Sequence, residues 1–322
     1  MIKEATGNIL FSESRLILSA GTLLNADFRE RVSSAKIAGF DAISLFPQQY
    51  LSALRKEELT VSDMQGILAE HEVSLDEVDP LLDWFAPEAT ASETLMVEMA
   101  QAFDARSMNV AAAFVSDRSH QEITDCFARV CERLAKHGLR ADLEFLPWTQ
   151  VNSLTAALSI IEKAGQANAG IMFDCWHFFN SEDSLDTLRD LTELQASRIT
   201  SLQVNDAPQA IARLSQKQNW HYTRDMFRSL IDSIRVMGFE RFRNVALKAS
   251  YPHPEAQRMM KDAQCSRLFP GEGDKPVAEV LSILHERGVR PAIGVEVFNL
   301  DNDAMSPAEV AQKAMRGYQS VV

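Results

Sequence analysis

No run of 18 apolar residues occurs in the chain, so nothing in it reads as a membrane-spanning helix and no membrane partner is expected. The N-terminal stretch MIKEATGNILFSESRLIL lacks an uninterrupted apolar core with a small-residue cleavage site after it. It is therefore not read as a secretory signal, and a cytoplasmic protein is expected. C-x-x-C pairs are missing. Cys126, Cys131, Cys175 and Cys265 are scattered, two of them in one amphipathic stretch, which reads as reduced, buried thiols and not as a disulfide framework or zinc cage. Clusters of Lys and Arg are missing too. A net charge of −13 argues against a nucleic-acid partner, because neutralising phosphates requires such clusters. No G-x-G-x-x-G follows the first apolar strand, which removes the main support for a dinucleotide-binding open sheet. There is neither an internal repeat nor a low-complexity tract.

What is present is an ordinary soluble composition, 46% hydrophobic and 24% charged, in 322 residues. That length suits two small domains or one large α/β domain. Short apolar strands are expected at 16–20, 42–46, 73–78, 109–115, 141–146, 169–173, 199–204 and 291–298. Between them lie patterns such as DFRERVSSAKIAGF and HQEITDCFARVCERLAKHG, with apolar residues at three- and four-residue spacing. Gly39, Gly138, Gly165 and Gly288 each close such a stretch just before a strand. Eight alternating units predict parallel βαβ connections. Polar residues at the C-terminal ends of several strands favour a closed (β/α)8 TIM barrel spanning 1–322 over an open sheet. One segment breaks the rhythm. Residues 211–253 read as a helical insertion after strand 7, with an amphipathic helix at 223–237, expected to cover the mouth or meet a neighbouring subunit.

Four strand-end residues carry the chemistry: Glu144 in ADLEFLPW, Asp174 in GIMFDCWHFFN, Gln203 in TSLQVNDAP and Glu296 in AIGVEVFN. The first three are 30 and 29 residues apart, about one βα unit, which sets them at one height around a barrel axis. A strand-end carboxylate is often merely solvated or ion-paired. Here, however, no Lys or Arg lies at the equivalent height of the neighbouring strands to pair with Glu144 or Glu296. Four converging groups that offer only oxygen suit one hard or borderline dication, Mn2+, Mg2+ or Co2+ in preference to Zn2+. His177, three residues after Asp174, reads equally as a packed member of an aromatic cluster with Trp176 and Phe178 or as a residue facing substrate. The block SRLFPGEGD reads as a helix entry, and Arg267 and Glu272 within it are also candidates for substrate contact. Asp142 precedes Glu144 by two residues and so faces the same side as a supporting group.

In this order, LEF, FDxxH, LQxxD, RxxPGEGD and GVEVF resemble the xylose isomerase-like TIM-barrel family, which includes sugar isomerases and epimerases, dehydratases and endonuclease IV. The resemblance covers the chain from Leu16 to Val322 apart from the insertion. It implies that Glu144, Asp174, Gln203 and Glu296 match the family's metal ligands, with His177, Arg267 and Glu272 near the substrate. Many members carry His where this chain has Gln203, so the branch is not assigned. An endonuclease is disfavoured because that branch uses several further His ligands.

The expected activity is that of a metal-dependent isomerase or epimerase acting on a sugar, keto-sugar or related polyol. Glu144 and Glu296, on opposite sides of the mouth, would remove and return the α-proton through a metal-stabilised enediolate. The same intermediate could instead lose a β-substituent, which makes a dehydratase or carbon–glycoside lyase the alternative. Assembly as a homo-oligomer or a hetero-complex is left open, with Trp148, Trp176, Phe178 and Phe179 as an apolar rim that a partner would complete.

Overall fold

The computed structural model describes residues 10–111, 118–209, 223–224, 231 and 254–322. The insertion expected at 211–253 therefore lies, but for three scattered positions, outside the described residues. Eight parallel strands are present: β1 (Leu16–Leu18), β2 (Ala42–Leu45), β3 (Ser74–Leu81), β4 (Ser107–Ala111), β5 (Arg140–Glu144), β6 (Ala169–Asp174), β7 (Ile199–Val204) and β8 (Ala292–Val295). Each pairs with the next in chain order, and β8 returns to β1, so the sheet is a closed barrel as the alternation predicts. Every expected strand is found, though its ends shift. β3 runs past Val78 to Leu81, because an irregularity between those residues lets the strand carry Pro80, which has no N–H to give a regular ladder.

The helices of the outer ring are α1 (Phe28–Ala38), α2 (Pro47–Arg55), α3 (Val61–Glu70), α4 (Ala91–Phe103), α5 (His120–Ala135), α6 (Leu154–Ala164), α7 (Cys175–Phe179), α8 (Leu185–Arg189), α9 (Glu193–Ala196), α10 (Pro254–Ala263), α11 (Val277–Glu286) and α12 (Pro307–Val321). Their starts are written locally. Asp27 with Glu30, Ser119 with Glu122 and Ser306 with Glu309 form reciprocal capping boxes at α1, α5 and α12. Each such cap is worth about 1 kcal/mol. Gly39 and Gly165 end α1 and α6 at φ 90° and 64°, a left-handed turn that a Cβ would disfavour. The apolar core fills the space between strands and helices, for instance Leu18, Ile43, Leu75 and Leu143 from the barrel with Val32, Met64, Phe127 and Leu134 from the helices. The ring closes where α1 packs on α12.

The barrel interior below the mouth is polar. Asp142 accepts from Arg140 Nε and Nη2 (2.7 and 2.8 Å), from Thr200 Oγ1 (2.7 Å) and from Ser201 Oγ (3.2 Å). It shares a side with Glu144 but is fully engaged one level lower, and so does not support that residue directly. Gly170 of β6 makes this level possible: a Cβ there would fall on Thr200 Oγ1 and Asp142 Oδ1. Gly170→Ala is expected to push these groups apart and to destabilise the fold by about 1–3 kcal/mol, the usual cost of overpacking. Urea unfolding measures this, and an unchanged midpoint would show that the level yields without cost.

Candidate metal centre at the barrel mouth

Glu144 ends β5, Asp174 ends β6, Gln203 lies in the last pair of β7 and Glu296 is the first residue beyond β8. Asp174 and Gln203 are register partners. Glu144 is in register with Met172, so Asp174 stands two residues higher, in keeping with the stagger of a closed barrel. β5 and β8 are three strands apart around a ring of eight, so Glu144 and Glu296 flank the mouth without being diametrically opposed. All four are buried, Glu144 most accessible at 7% and Asp174 fully enclosed.

Arg267 enters this group from the segment after α10. Its backbone N–H donates to Phe298 O at 3.0 Å, and its side-chain Nε donates to Ala263 O at 2.8 Å. Thus fixed, Nη1 donates to Asp174 Oδ2 at 2.6 Å and to Glu296 Oε2 at 3.1 Å, while the guanidinium lies over the Phe298 ring. Asp174 is held on every side. Its Oδ1 accepts the His177 N–H that caps α7 (2.9 Å), and Oδ2 also accepts from Asn205 Nδ2 (2.8 Å). Glu144 Oε2 accepts from Asn109 Nδ2 at 2.8 Å, and its Oε1 lies 3.4 Å from His177 Nε2.

Two contacts meet at His177 Nε2, Glu144 Oε1 and Arg267 Nη2, the latter at 3.3 Å. Arginine can only donate, so accepting from it requires Nε2 without a proton, whereas donating to Glu144 requires the proton there. The ring stands where either state has a partner. Trp148 and Trp176 meet it edge-on at 5.3 and 5.4 Å between centroids, so His177 is both an aromatic-cluster residue and a polar one.

One end of the Gln203 carboxamide lies 3.0 Å from Glu296 Oε2 and 3.2 Å from Asp174 Oδ2. With nitrogen at that end, the amide donates to both carboxylates. With oxygen there, three oxygens converge, and a cation is what reconciles them. Glu296 Oε1 is buried with no hydrogen-bond partner among the described residues. One ligand atom from each of Glu144, Asp174 and His177 lies within 4.8 Å of the other two. The donor set thus fits a small dication, with oxygen predominant and one imidazole nitrogen in reach.

The local charge balance is strained. Burial pushes Glu296 well above the usual carboxylate range; Arg267 opposes this, and Asp79, Asp174 and Glu144 add to it. Asp79, near the end of β3, is raised by burial and then by Glu77 and Glu144. Burial alone would weaken the hold of Arg267 on its proton, but Asp174, Glu296 and Glu144 strengthen it overall.

The barrel therefore brings together Glu144, Asp174, Gln203, Glu296, His177 and Arg267, six of the seven residues that the sequence singled out. Glu272 is not brought to them. It is exposed and pairs with Lys313 of α12 at 3.0 Å. The reason is Asp206, whose carboxylate accepts from the backbone N–H groups of Ala207, Gly271, Gly273 and Lys275. That clasp turns the backbone of the loop toward β7 and leaves the side chain of Glu272 on the outside. Of the expected rim, Trp148 and Trp176 join Leu146, Ala111, Ala207 and Ala263 in a separate apolar cluster, whereas Phe178 belongs to the main core. Asn109, Asn205, Asp79 and Asp206 were not singled out. The available signal was a polar residue at an inward position of an otherwise apolar strand, or just past its end, as in NVAAAF and LQVND.

Comparison with known proteins gives a family match over most of the chain: the family described as "Xylose isomerase-like TIM barrel" matches residues 32–321. The 3-dehydroshikimate dehydratase of Pseudomonas aeruginosa is 22% identical over 310 residues, 93% of this chain and 40% of that protein. The inosose isomerase of Halalkalibacterium halodurans is 25% identical over 180 residues, 55% of this chain and 46% of that one. The chain thus spans less than half the length of these curated relatives. Among solved structures, the IOLI protein with a binding zinc atom is similar in fold, with a TM-score of 0.71, 15% identity and coverage of 96% of this chain and 98% of that one.

Glu77 of β3 lies within the barrel, 3.4 Å from Ser201 Oγ, and is raised well above the usual range by burial and then by Asp142 and Glu296. At about pH 4 and below, folded and unfolded chains both hold its proton. As pH rises, the unfolded chain releases the proton first while the folded interior retains it, so Glu77 costs stability increasingly until the folded carboxyl also ionises. Glu77→Gln is expected to raise the melting temperature of the metal-stripped protein at about pH 8 and to leave it nearly unchanged near pH 4. A drop at the higher pH would show that the charge is compensated in the folded barrel.

Proposed function

The chain belongs to the xylose isomerase-like TIM barrel family, and on that footing we propose that it is a divalent-metal-dependent isomerase or epimerase of a sugar, keto-sugar or related polyol. The observation that carries this reading is the convergence of Glu144, Asp174, Gln203 and Glu296 in one buried mouth, with Gln203 within 3.0 and 3.2 Å of two of those carboxylates. These four would hold the ion, with His177 Nε2 as a further donor in reach. An all-oxygen set suits Mn2+, Mg2+ or Co2+, and participation of His177 would widen the choice to Zn2+. When bound, the ion supplies Lewis acidity toward adjacent carbonyl and hydroxyl oxygens of the substrate.

The chain's own residues do the rest. Glu144 and Glu296 flank the mouth and carry the proton that leaves and returns at the α-carbon. Glu144 offers Oε1, the oxygen not engaged by Asn109. His177 Nε2, able to accept or donate, hydrogen-bonds and orients a substrate hydroxyl beside Glu144. Arg267, always charged, holds a substrate oxygen while keeping Asp174 and Glu296 in place. The Trp148 and Trp176 cluster excludes water on one flank. Glu272, paired with Lys313 outside, takes no part.

A second reading, a dehydratase, is favoured by one observation: the dehydratase relative aligns with 93% of the chain, the isomerase relative with 55%. Both reactions begin with removal of the α-proton, and they part at whether a β-hydroxyl is then lost.

The test is a screen of ketoses, keto acids and 3-keto sugars with Mn2+ in deuterated buffer, followed by NMR. An isomerase or epimerase exchanges the α-hydrogen and conserves water, whereas a dehydratase releases it. Glu144→Gln and Glu296→Gln are each expected to lower turnover by roughly 10²–10⁴-fold or more, the contribution of a positioned acid or base. His177→Ala is expected to cost less and to act mainly on KM. Full turnover in either glutamine variant would overturn the assignment of the proton to these residues.

A further inference from the structure

Asn109 of β4 is buried, 1% exposed, on the inner face of the barrel. Its Nδ2 carries two hydrogens, and both are spent on carboxyl groups: Asp79 Oδ1 at 2.8 Å and Glu144 Oε2 at 2.8 Å. Its own Oδ1 is buried with no partner among the described residues. An amide that leaves its own oxygen unpaired inside a protein carries a cost, which the two hydrogen bonds it donates must offset. The arrangement makes sense by what it does to Glu144.

A glutamate has two equivalent oxygens, and a ligand or a base must present a chosen one. Asn109 engages Oε2 and so leaves Oε1 as the oxygen near His177 Nε2, at 3.4 Å. The amide could turn over and offer its oxygen to Glu144 instead. Asp79 prevents that: with an acceptor on each side, the amide has one orientation in which both contacts are favourable. The clamp is neutral, too. Arg267 brings positive charge to Asp174 and Glu296, whereas Asn109 orients Glu144 without supplying any, so the negative charge of Glu144 stays available to a cation.

We propose that Asn109 is a positioning residue that fixes which oxygen of Glu144 faces the metal and the substrate, and that Asp79 locks the Asn109 amide the right way round. This rests on the proposed role of Glu144 as a metal ligand. Loss of such a supporting contact typically lowers metal affinity by roughly 10–100-fold.

The test measures binding of Mn2+ alone to the metal-stripped protein by calorimetry, alongside its melting temperature. Asn109→Leu fills the same volume. It takes the donor away from two buried carboxyl groups, so it is expected to fold with a lowered melting temperature and to bind Mn2+ roughly 10–100-fold more weakly. Asn109→Ala is run beside it, with the same loss of affinity expected, in case the branched side chain does not fit. Asp79→Ala should weaken Mn2+ binding, and Asp79→Asn, which still offers an oxygen to Asn109, should recover most of that loss. Wild-type affinity in both Asn109 variants would overturn the proposal, as would an Asp79→Asn variant no better than Asp79→Ala. Glu144→Gln serves as the control. If it binds Mn2+ as the wild type does, the metal reading of Glu144 has failed; if it loses binding while the Asn109 variants keep it, only the positioning role has failed.

Discussion

A carboxylate taken out of water without a cation is among the most expensive groups a folded chain can hold, with an effective penalty of several kcal/mol per ion. Closing this barrel gathers Glu144, Asp174 and Glu296 at one buried mouth, with Asp79 and Glu77 just below and beside them. One guanidinium, that of Arg267, bridges two of the five. Much else in the structure follows from this shortage of positive charge among the described residues. Arg267 is tied down through its backbone, its Nε and its place over Phe298, so that Nη1 reaches the two acids and Nη2 reaches His177. Asparagines stand where further arginines would satisfy the charge. The unassigned end of Gln203 and the unpartnered oxygen of Glu296 mark the same deficit from the ligand side. A site that the described residues leave under-compensated is one that a dication would suit.

The fold was legible because the barrel repeats one simple unit. Eight apolar stretches alternating with amphipathic ones leave few topologies, and the parallel, right-handed connection rule leaves fewer. Strand ends were less legible, since Pro80 reads as a stop and an irregularity in β3 absorbs it. The site was legible wherever the chemistry coincides with position along a strand. Glu144, Asp174 and Gln203 stand one βα unit apart, and that spacing is itself the geometry. Glu296 was reached through charge in apolar surroundings, and Arg267 through the SRLFPGEGD block. Arg267 meets Glu296 from a loop, which is why no pairing cation was visible at strand height. Glu272 sat in the same block as Arg267, five residues on, but the Asp206 clasp turns the backbone there inward and leaves its side chain outside with Lys313. Asn109 and Asn205 escaped notice for the opposite reason. An asparagine inside or beside a strand looks like an imperfection in the pattern unless its partners, remote in sequence, are known.

His177 shows how two readings of one residue can hold together. Its ring edges against Trp148 and Trp176, as the flanking aromatics suggest, while its Nε2 sits between Glu144 and Arg267. The aromatic packing fixes the plane of the ring, and a fixed plane aims the nitrogen. Apolar and polar roles are therefore parts of a single device: hydrophobic contacts set the direction in which Nε2 meets its polar partners. The separate cluster around Trp148 and Trp176 also lies on α10, through Met259, Met260 and Ala263, so this flank of the mouth is shaped by residues that follow the excursion between β7 and α10.

The Asp206 clasp has a consequence for how such a barrel diversifies. The chain leaves β7 at one side of the clasp and comes back at the other, where Asp206 and Leu268 exchange backbone hydrogen bonds and the carboxylate gathers the turn at 271–275. The base of the excursion is thus stitched shut by contacts that do not depend on what lies between. Closing a loop of twice the length over such a base costs only about 0.6 kcal/mol more. A change of length between β7 and α10 alters none of the residues that make these contacts, nor the Ala263 carbonyl that holds Arg267 Nε. The same clasp that holds an arginine against two acids therefore makes this part of the chain a point at which new sequence can be admitted to the rim of the mouth without disturbing the chemistry beneath it.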